Sequence, residues 1–125
     1  AEAASNKNMP PFSISGSGKQ VRDILHAEDM KSLYWAAVKN INTCQGNAFN
    51  IGGGMHNSLS ILELLKLLEN LAATQLAFMH LPARESDQRI FVADTKKARN
   101  LMGWEPGIDA TEGLKSMYEW TRLNS

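Results

Sequence analysis

Cysteine, long apolar runs and an excess of either charge are scarce or missing in this sequence. Its 125 residues include one cysteine, Cys44, which excludes an internal disulfide and is typical of a reducing cytoplasm. The 13 lysine and arginine residues balance 13 aspartate and glutamate residues, so no net charge attracts nucleic acid or an anionic membrane. No apolar run reaches membrane-spanning length, and the first residues lack the pattern of a signal peptide. We therefore expect a soluble, cytoplasmic protein that binds neither nucleic acid nor a membrane.

The glycine-rich stretches do not complete a motif for phosphate or dinucleotide binding. Ser13 stands where a phosphate-binding P-loop ending in "GSGKQ" needs its first glycine, and Gln20 replaces the hydroxyl residue that binds magnesium. In "GGGMHN", Asn57 stands where a dinucleotide fingerprint needs its third glycine. We interpret these glycines as structural turns. We also predict no metal site, because the three histidines are far apart in sequence: His26, His56 and His80.

The pattern of apolar residues predicts one small α/β or α+β unit with about four helices and short strands. We treat residues 1–10 as a tail or upstream residues and residues 11–125 as a single domain. Helices are predicted over 28–41 and 60–71, from Asp94 to Gly103, and after Asp109. The predicted strands are "FSIS", "VRDILH", "NAFNIGGG", "LAFMHL" and "RIFVA", and the first two are close enough in sequence to pair as a hairpin.

Charged residues lie within one of the predicted strands and in the segment between two others. Arg22 and Asp23 lie within one, and Arg84, Asp87 and Arg89 lie between two others. The planar guanidinium of arginine binds two phosphate oxygens at once, and a nearby aspartate accepts hydrogen bonds from ribose hydroxyls. The same residues also suit a structural Arg–Asp salt-bridge network, so their chemistry alone leaves both interpretations open.

Four motifs resemble the C-terminal part of the extended short-chain dehydrogenase/reductases. This family contains the NAD-dependent nucleotide-sugar epimerases and dehydratases. The motifs occur in the family's order and cover nearly the whole chain. They are "GKQVRDILHAEDM", "GNAFNIGG", "NSLSILEL" and "LPARESDQRIFVADTKKARNLMGWEP".

The resemblance implies roles for three residues in substrate binding. In the family, the arginine of the "RD" motif and the arginine of the "RxxD" motif contact the substrate diphosphate. These positions are Arg22 and Arg84 here. The acid of the second motif, here Asp87, reaches the nucleotide ribose. The charge beside the strands would then belong to a site for an anion.

The resemblance also implies what these 125 residues lack. Family members bind NAD through an N-terminal glycine-rich Rossmann segment and use a Tyr-x-x-x-Lys pair in catalysis, and neither is present. Val38 follows Tyr34 by four residues and Arg122 follows Tyr118 by four, so neither tyrosine has the required lysine. We therefore predict no catalytic or cofactor-binding residue in this chain. We also expect no activity from the chain alone.

These points predict a truncated homologue that keeps the lobe for a nucleotide diphosphate or nucleotide sugar. This lobe alone forms only one side of the substrate cleft, so it buries less of the ligand than a whole enzyme does. We therefore expect weak binding, with a Kd on the order of 0.1–10 mM. One alternative is a non-enzymatic module that forms a homo-oligomer through the face left by the missing Rossmann domain. A further alternative is a fragment, or one subunit of a split enzyme completed by a Rossmann-domain partner chain.

Overall fold

The computed structural model describes residues 11–124, which contain five helices and five strands. The predicted tail, residues 1–10, lies outside the described residues. The α-helices are α1 (Ala27–Lys39), α2 (Ile41–Cys44), α3 (Ile61–Ala72), α4 (Lys96–Met102) and α5 (Ala110–Asn124), with a 3₁₀ turn at Met55–Asn57. The strands are β1 (Phe12–Ser15), β2 (Val21–Asp23), β3 (Ser58–Ser60), β4 (Phe78–Leu81) and β5 (Ile90–Phe91). Within this range, none of the helices is apolar over a stretch long enough to cross a bilayer.

The strands pair in parallel and over long sequence separations. Strand β1 pairs with β4, with Phe12 opposite Phe78, and β2 pairs with β5, with Arg22 opposite Phe91. The three-stranded sheet has the order β3-β2-β5. The predicted hairpin between β1 and β2 is therefore wrong. Each strand instead pairs with one that follows it by more than sixty residues, a distance that local turn signals do not report.

The predicted strand in "NAFNIGGG" does not form. Residues 47–51 have no regular structure. Phe49 and Ile51, whose alternation suggested a strand, pack instead against a core cluster on the helices. The alternation therefore reflects burial of two side chains rather than pairing with a neighbouring strand.

The first predicted helix is divided in two. Helix α1 ends at Lys39, because the side-chain amide of Asn40 donates to the carbonyl oxygen of Ala36, 2.9 Å away. The short helix α2 then carries Cys44 into the core. This division accounts for five helices where the pattern predicted about four.

Contacts between Cα atoms divide the chain into two compact units. The first unit comprises residues 11–22, Leu59–Phe91 and 111–124, and the second comprises Asp23–Ser58 and Val92–Ala110. The prediction of a single domain stays a prediction. In the first unit, the buried apolar residues include Ile14 of β1, Leu65 and Leu68 of α3, and Leu114 of α5.

The second unit has a compact core and two buried polar residues. Its cluster of buried residues is Leu33, Cys44, Ala98, Met102 and Trp104. The buried carboxylate of Asp29 accepts hydrogen bonds from the backbone of Gly107 and Ile108, at 2.9 and 3.0 Å. The buried side chain of Asn57 accepts from the backbone of Ala110 at 2.8 Å. Burial of these polar groups is tolerated because their hydrogen bonds replace those lost from water.

Candidate functional site

The three predicted site residues lie on β2 and on the loop between β4 and β5, all in the first unit. Arg22 is on β2, and Arg84 and Asp87 are in the loop. The backbone N–H of Asp87 donates to the carbonyl oxygen of Arg84 at 3.3 Å, which closes a turn. Ser86 has a φ of 63°, in the left-handed region. This turn fixes the spacing of Arg84 and Asp87 in the loop.

Arg22 and Asp87 form an ion pair. Nη2 of Arg22 lies 2.8 Å from Oδ1 of Asp87, and Nη1 of Arg22 donates to the carbonyl oxygen of Val21, also at 2.8 Å. The two side chains remain 40% and 29% exposed. Partly exposed pairs of this kind stabilise a fold by about 1 kcal/mol or less. The salt bridge anticipated from the sequence is therefore present, and its stabilising effect is small.

Gln20 is a site residue that the sequence reasoning missed. Its amide Nε2 donates to the carbonyl oxygen of Ser15 at 2.7 Å and to Oδ2 of Asp87 at 3.2 Å. Both oxygens of Asp87 are thus engaged, one by Gln20 and one by Arg22. A usable signal was present, because residues two apart in an extended segment lie on the same face, and Gln20 is two positions before Arg22.

Two clefts in the first unit share Gln20, Arg84 and Asp87 as lining residues. We call the first, of about 530 Å³, the lysine cleft, because Lys19 and Arg89 also line it. We call the second, of about 410 Å³, the serine cleft, because Ser13, Ser15 and Arg22 line it. The volumes of both clefts are in the usual range for sites that bind small molecules.

Positive charge predominates in the two clefts. Four cationic side chains line them, against the single carboxylate of Asp87. Within residues 11–124, the guanidinium groups of Arg84 and Arg89 and the ammonium group of Lys19 make no side-chain hydrogen bond or ion pair, whereas Arg22 pairs with Asp87. Free guanidinium groups in a concave, cationic surface are suited to bind phosphate oxygens.

The glycine loop serves the packing of its own chain and does not fit a dinucleotide. A Cβ atom on Gly52 would lie 1.9 Å from Oδ2 of Asp23, and one on Gly53 would lie 1.8 Å from the carbonyl oxygen of Ile24. The backbone N–H of Gly54 donates to Asp23 at 3.1 Å. These glycines thus allow close approach of Asp23 and Ile24, which agrees with their interpretation as a structural turn. The space beside Gly52 and Gly53 is therefore occupied by Asp23 and Ile24 of this chain.

The remaining candidate residues have local structural roles. Nδ1 of His26 accepts from the backbone of Glu28 at the start of α1, and the ring of His80 lies 2.8 Å from the carbonyl oxygen of Gly16. Cys44 is buried at the end of α2. Trp104 is a core residue, whereas the other two tryptophans are exposed: Trp35 and Trp120.

Comparisons with known proteins identify the family. The family model described as GDP-mannose 4,6 dehydratase matches residues 1–117. The chain belongs to this family. It is 59% identical over 111 residues to CDP-paratose 2-epimerase of Salmonella typhi, covering 89% of this chain and 33% of that protein. It is 32% identical over 114 residues to UDP-glucuronate 4-epimerase of Thermodesulfobacterium geofontis, covering 91% and 34%.

Solved structures of the family have the same fold. The structure of UDP-glucuronic acid 4-epimerase from Bacillus cereus, in complex with UDP-glucuronic acid and NAD, superimposes with a TM-score of 0.83 at 26% identity. The superposition covers 92% of this chain and 36% of that one. The predicted resemblance to NAD-dependent nucleotide-sugar epimerases, and within them to CDP-paratose 2-epimerase, is confirmed. The chain spans about a third of the length of the curated relatives it matches.

Proposed function

We propose that the first unit binds the diphosphate of a nucleotide or nucleotide sugar and that these 125 residues have no epimerase activity by themselves. The observation that carries the proposal is that Arg22, Arg84 and Asp87 all line the serine cleft, which shares Arg84 and Asp87 with the lysine cleft. Membership of a family that includes epimerases of CDP- and UDP-linked sugars gives the ligand class.

We call Arg22, Arg84 and Asp87 together the phosphate clamp. Each of the three residues has a distinct role in the proposed binding of the nucleotide. Arg84, which has no side-chain partner among the described residues, presents its guanidinium to a phosphate group. Arg22 has five N–H donors, so it holds Asp87 and a second phosphate oxygen at once. Each carboxylate oxygen of Asp87 accepts one protein hydrogen bond and keeps a second acceptor site for a ribose hydroxyl.

The chain contributes binding and orientation to the chemistry of the family. The described residues place no tyrosine beside a lysine of the Tyr-x-x-x-Lys kind, and the glycine loop is filled by its own packing. Proton and hydride transfer would therefore depend on residues outside this stretch. The cytoplasmic location anticipated from the single cysteine stays a prediction.

The proposal is tested by measuring the equilibrium affinity of the chain for CDP and UDP. We expect a Kd on the order of 0.1–10 mM that weakens as salt is raised, because exposed charges are screened. Arg84→Ala should weaken binding by about tenfold or more, since a charge-assisted hydrogen bond to an anion contributes about 1.5–3 kcal/mol. The matched control is Arg99→Ala, because Arg99 is an exposed arginine that pairs with Glu105 at 2.7 Å in the second unit.

The control variant should bind both nucleotides as the unmodified chain does. Equal losses in Arg84→Ala and Arg99→Ala would indicate a non-specific attraction of anions. No detectable binding of either nucleotide at about 10 mM, where even the weakest expected Kd gives about half-saturation, would refute the proposal.

A second candidate function, self-association, is favoured by the exposed face of α1 and α2 in the second unit. Four large apolar residues on this face, which we call the α1 face, are 55–65% exposed: Tyr34, Trp35, Val38 and Ile41. Contiguous apolar surface of this kind marks an interaction site. A second copy of the chain is the occupant we propose, because a formal net charge of zero leaves no repulsion between copies. A Rossmann-domain partner chain is the alternative occupant.

A further inference from the structure

The side chain of Gln20 has a feature that its contribution to stability does not explain. Its Oε1 is buried and has no hydrogen-bond partner among the described residues. A buried acceptor without a partner costs the free energy of its lost hydration. Such a group in a folded protein calls for a reason other than stability, and function is one of the known reasons.

The contacts of Nε2 supply that reason. The amide orientation is fixed by chemistry, because both neighbours of Nε2, the Ser15 carbonyl and the Asp87 carboxylate, are acceptors. The Oε1 must then face the interior. In this orientation Nε2 links the last residue of β1 to the carboxylate of Asp87, and Oε1 is left without a hydrogen-bond partner among the described residues.

This link anchors the loop carboxylate to a paired strand. Ser15 lies in the β1/β4 sheet, opposite Leu81. Asp87 lies on an exposed loop, six residues after Leu81. The only other side chain that holds Asp87 among the described residues is Arg22. Arg22 is the weaker holder when an anion binds, because its guanidinium is then shared with phosphate oxygens. Gln20 carries no charge and has no such competing partner.

We propose that Gln20 is a positioning residue that orients Asp87 for the ribose of a bound nucleotide. The inference rests on the proposed nucleotide binding and deepens it by separating ribose recognition from phosphate recognition. Gln20 acts through Asp87, whereas Arg84 acts on the diphosphate directly. Loss of Gln20 should therefore weaken the binding of ligands that carry ribose hydroxyls and leave the binding of ligands without them unchanged.

The test compares Gln20→Met with Asp87→Asn and the double variant, using NMR titrations with CDP and with inorganic pyrophosphate. Methionine keeps the length of the side chain and removes both the amide donor and the orphan acceptor. We expect each single variant to weaken CDP binding roughly tenfold and the double variant to be no weaker than either. Pyrophosphate binding by Gln20→Met should stay within about twofold of the unmodified chain.

Two controls separate positioning from a general structural effect. Gln75→Met replaces an exposed glutamine of the first unit that lines neither cleft, so it should leave CDP binding unchanged. The 2′,3′-dideoxy analogue of CDP lacks the ribose hydroxyls, so the unmodified chain should bind it about as weakly as Gln20→Met binds CDP. The Gln20→Met variant should no longer distinguish CDP from this analogue.

The outcomes distinguish the failure of this inference from failure of the proposed function. If the unmodified chain binds CDP and Arg84→Ala weakens it, while Gln20→Met does not, the clamp stands and the role of Gln20 is refuted. Additive losses in the double variant, or an equal loss for pyrophosphate, would also refute it. If Gln20→Met does not fold, the side-chain amide signals of Gln20 in the unmodified chain provide the readout. They should shift on adding CDP and stay in place with pyrophosphate, and the reverse would overturn the inference.

Discussion

At the scale of single residues, Asp23 shows how a charged residue beside the site can have a structural role. Its Oδ2 accepts hydrogen bonds from the backbone of Gly54 and of Ala93, both at 3.1 Å. The sequence left open whether Asp23 takes part in ligand binding, because it neighbours Arg22. Its carboxylate instead ties the glycine loop and the segment after β5 together within the second unit. The absence of a side chain at Gly52 leaves room for this carboxylate.

Gly52→Ala should therefore destabilise the chain by about 2 kcal/mol or more, because the added methyl group would overlap the Asp23 carboxylate. The measurement is chemical unfolding monitored by circular dichroism. Gly107→Ala is the matched control, since a Cβ there would lie at an ordinary 3.6 Å from Asp29. A Gly52→Ala variant as stable as Gly107→Ala would contradict the close packing described for this loop.

Residue identity alone did not predict how the site is assembled. Arg22, Arg84 and Asp87 were predicted from the family motifs, and in the structure all three line the serine cleft. Gln20 lies within the motif "GKQVRDILHAEDM", but the resemblance assigned it no role, and its contact with Asp87 spans 67 residues of sequence. Contacts over such distances depend on the fold and are not encoded in any local pattern.

At the scale of elements, the start of α3 is defined by a capping box between Ser60 and Glu63. The Ser60 hydroxyl accepts from the backbone of Glu63, and the Glu63 carboxylate accepts from the backbone and hydroxyl of Ser60 at 2.7 Å. These hydrogen bonds lower the pKa of Glu63 below its ordinary value. Ser60→Ala should destabilise the fold by about 1 kcal/mol in urea unfolding at neutral pH.

The capping box should also make stability depend on pH. Because the folded state lowers the pKa of Glu63, the stabilising effect is present above the pKa of the unfolded chain and is lost as pH falls through the folded pKa. Glu63→Gln should flatten the decrease in unfolding free energy between about pH 5 and pH 3. Glu112→Gln, in the first turn of α5, is the comparison variant. An unchanged slope in Glu63→Gln would contradict the assignment.

Elements with strong local signals were predicted well, and those that depend on distant partners were not. The bounds of α3 and α4 follow from the capping box and from Gly103, which has a φ of 65° at the end of α4. The pairing of β1 with β4 and β2 with β5 was missed, because parallel partners are joined by long connections. The predicted strand that enters the glycine loop in "NAFNIGGG" was wrong for a different reason, because the alternation of Phe49 and Ile51 reports their burial and not strand pairing.

At the scale of the whole molecule, the α1 face should drive self-association. Light scattering of the unmodified chain should give a mass above that of a monomer, rising with concentration. The double variant Tyr34→Glu, Trp35→Lys keeps the net charge and removes the apolar surface, so it should be monomeric. Lys31→Glu, Glu28→Lys is the control, because it changes exposed charges on the same helix and leaves the α1 face intact. A clean monomer of the unmodified chain at high concentration would exclude self-association.

The most direct test of nucleotide binding is a nitrogen-15 NMR titration of the chain with CDP and UDP, repeated on an Arg22→Ala, Arg84→Ala double variant. We predict shifts for residues around Arg22 and for residues 84–87, and no such shifts in the double variant. Shifts of equal size in the double variant would place any binding elsewhere. No shifts with either nucleotide at millimolar concentration would contradict the proposal that the phosphate clamp is functional.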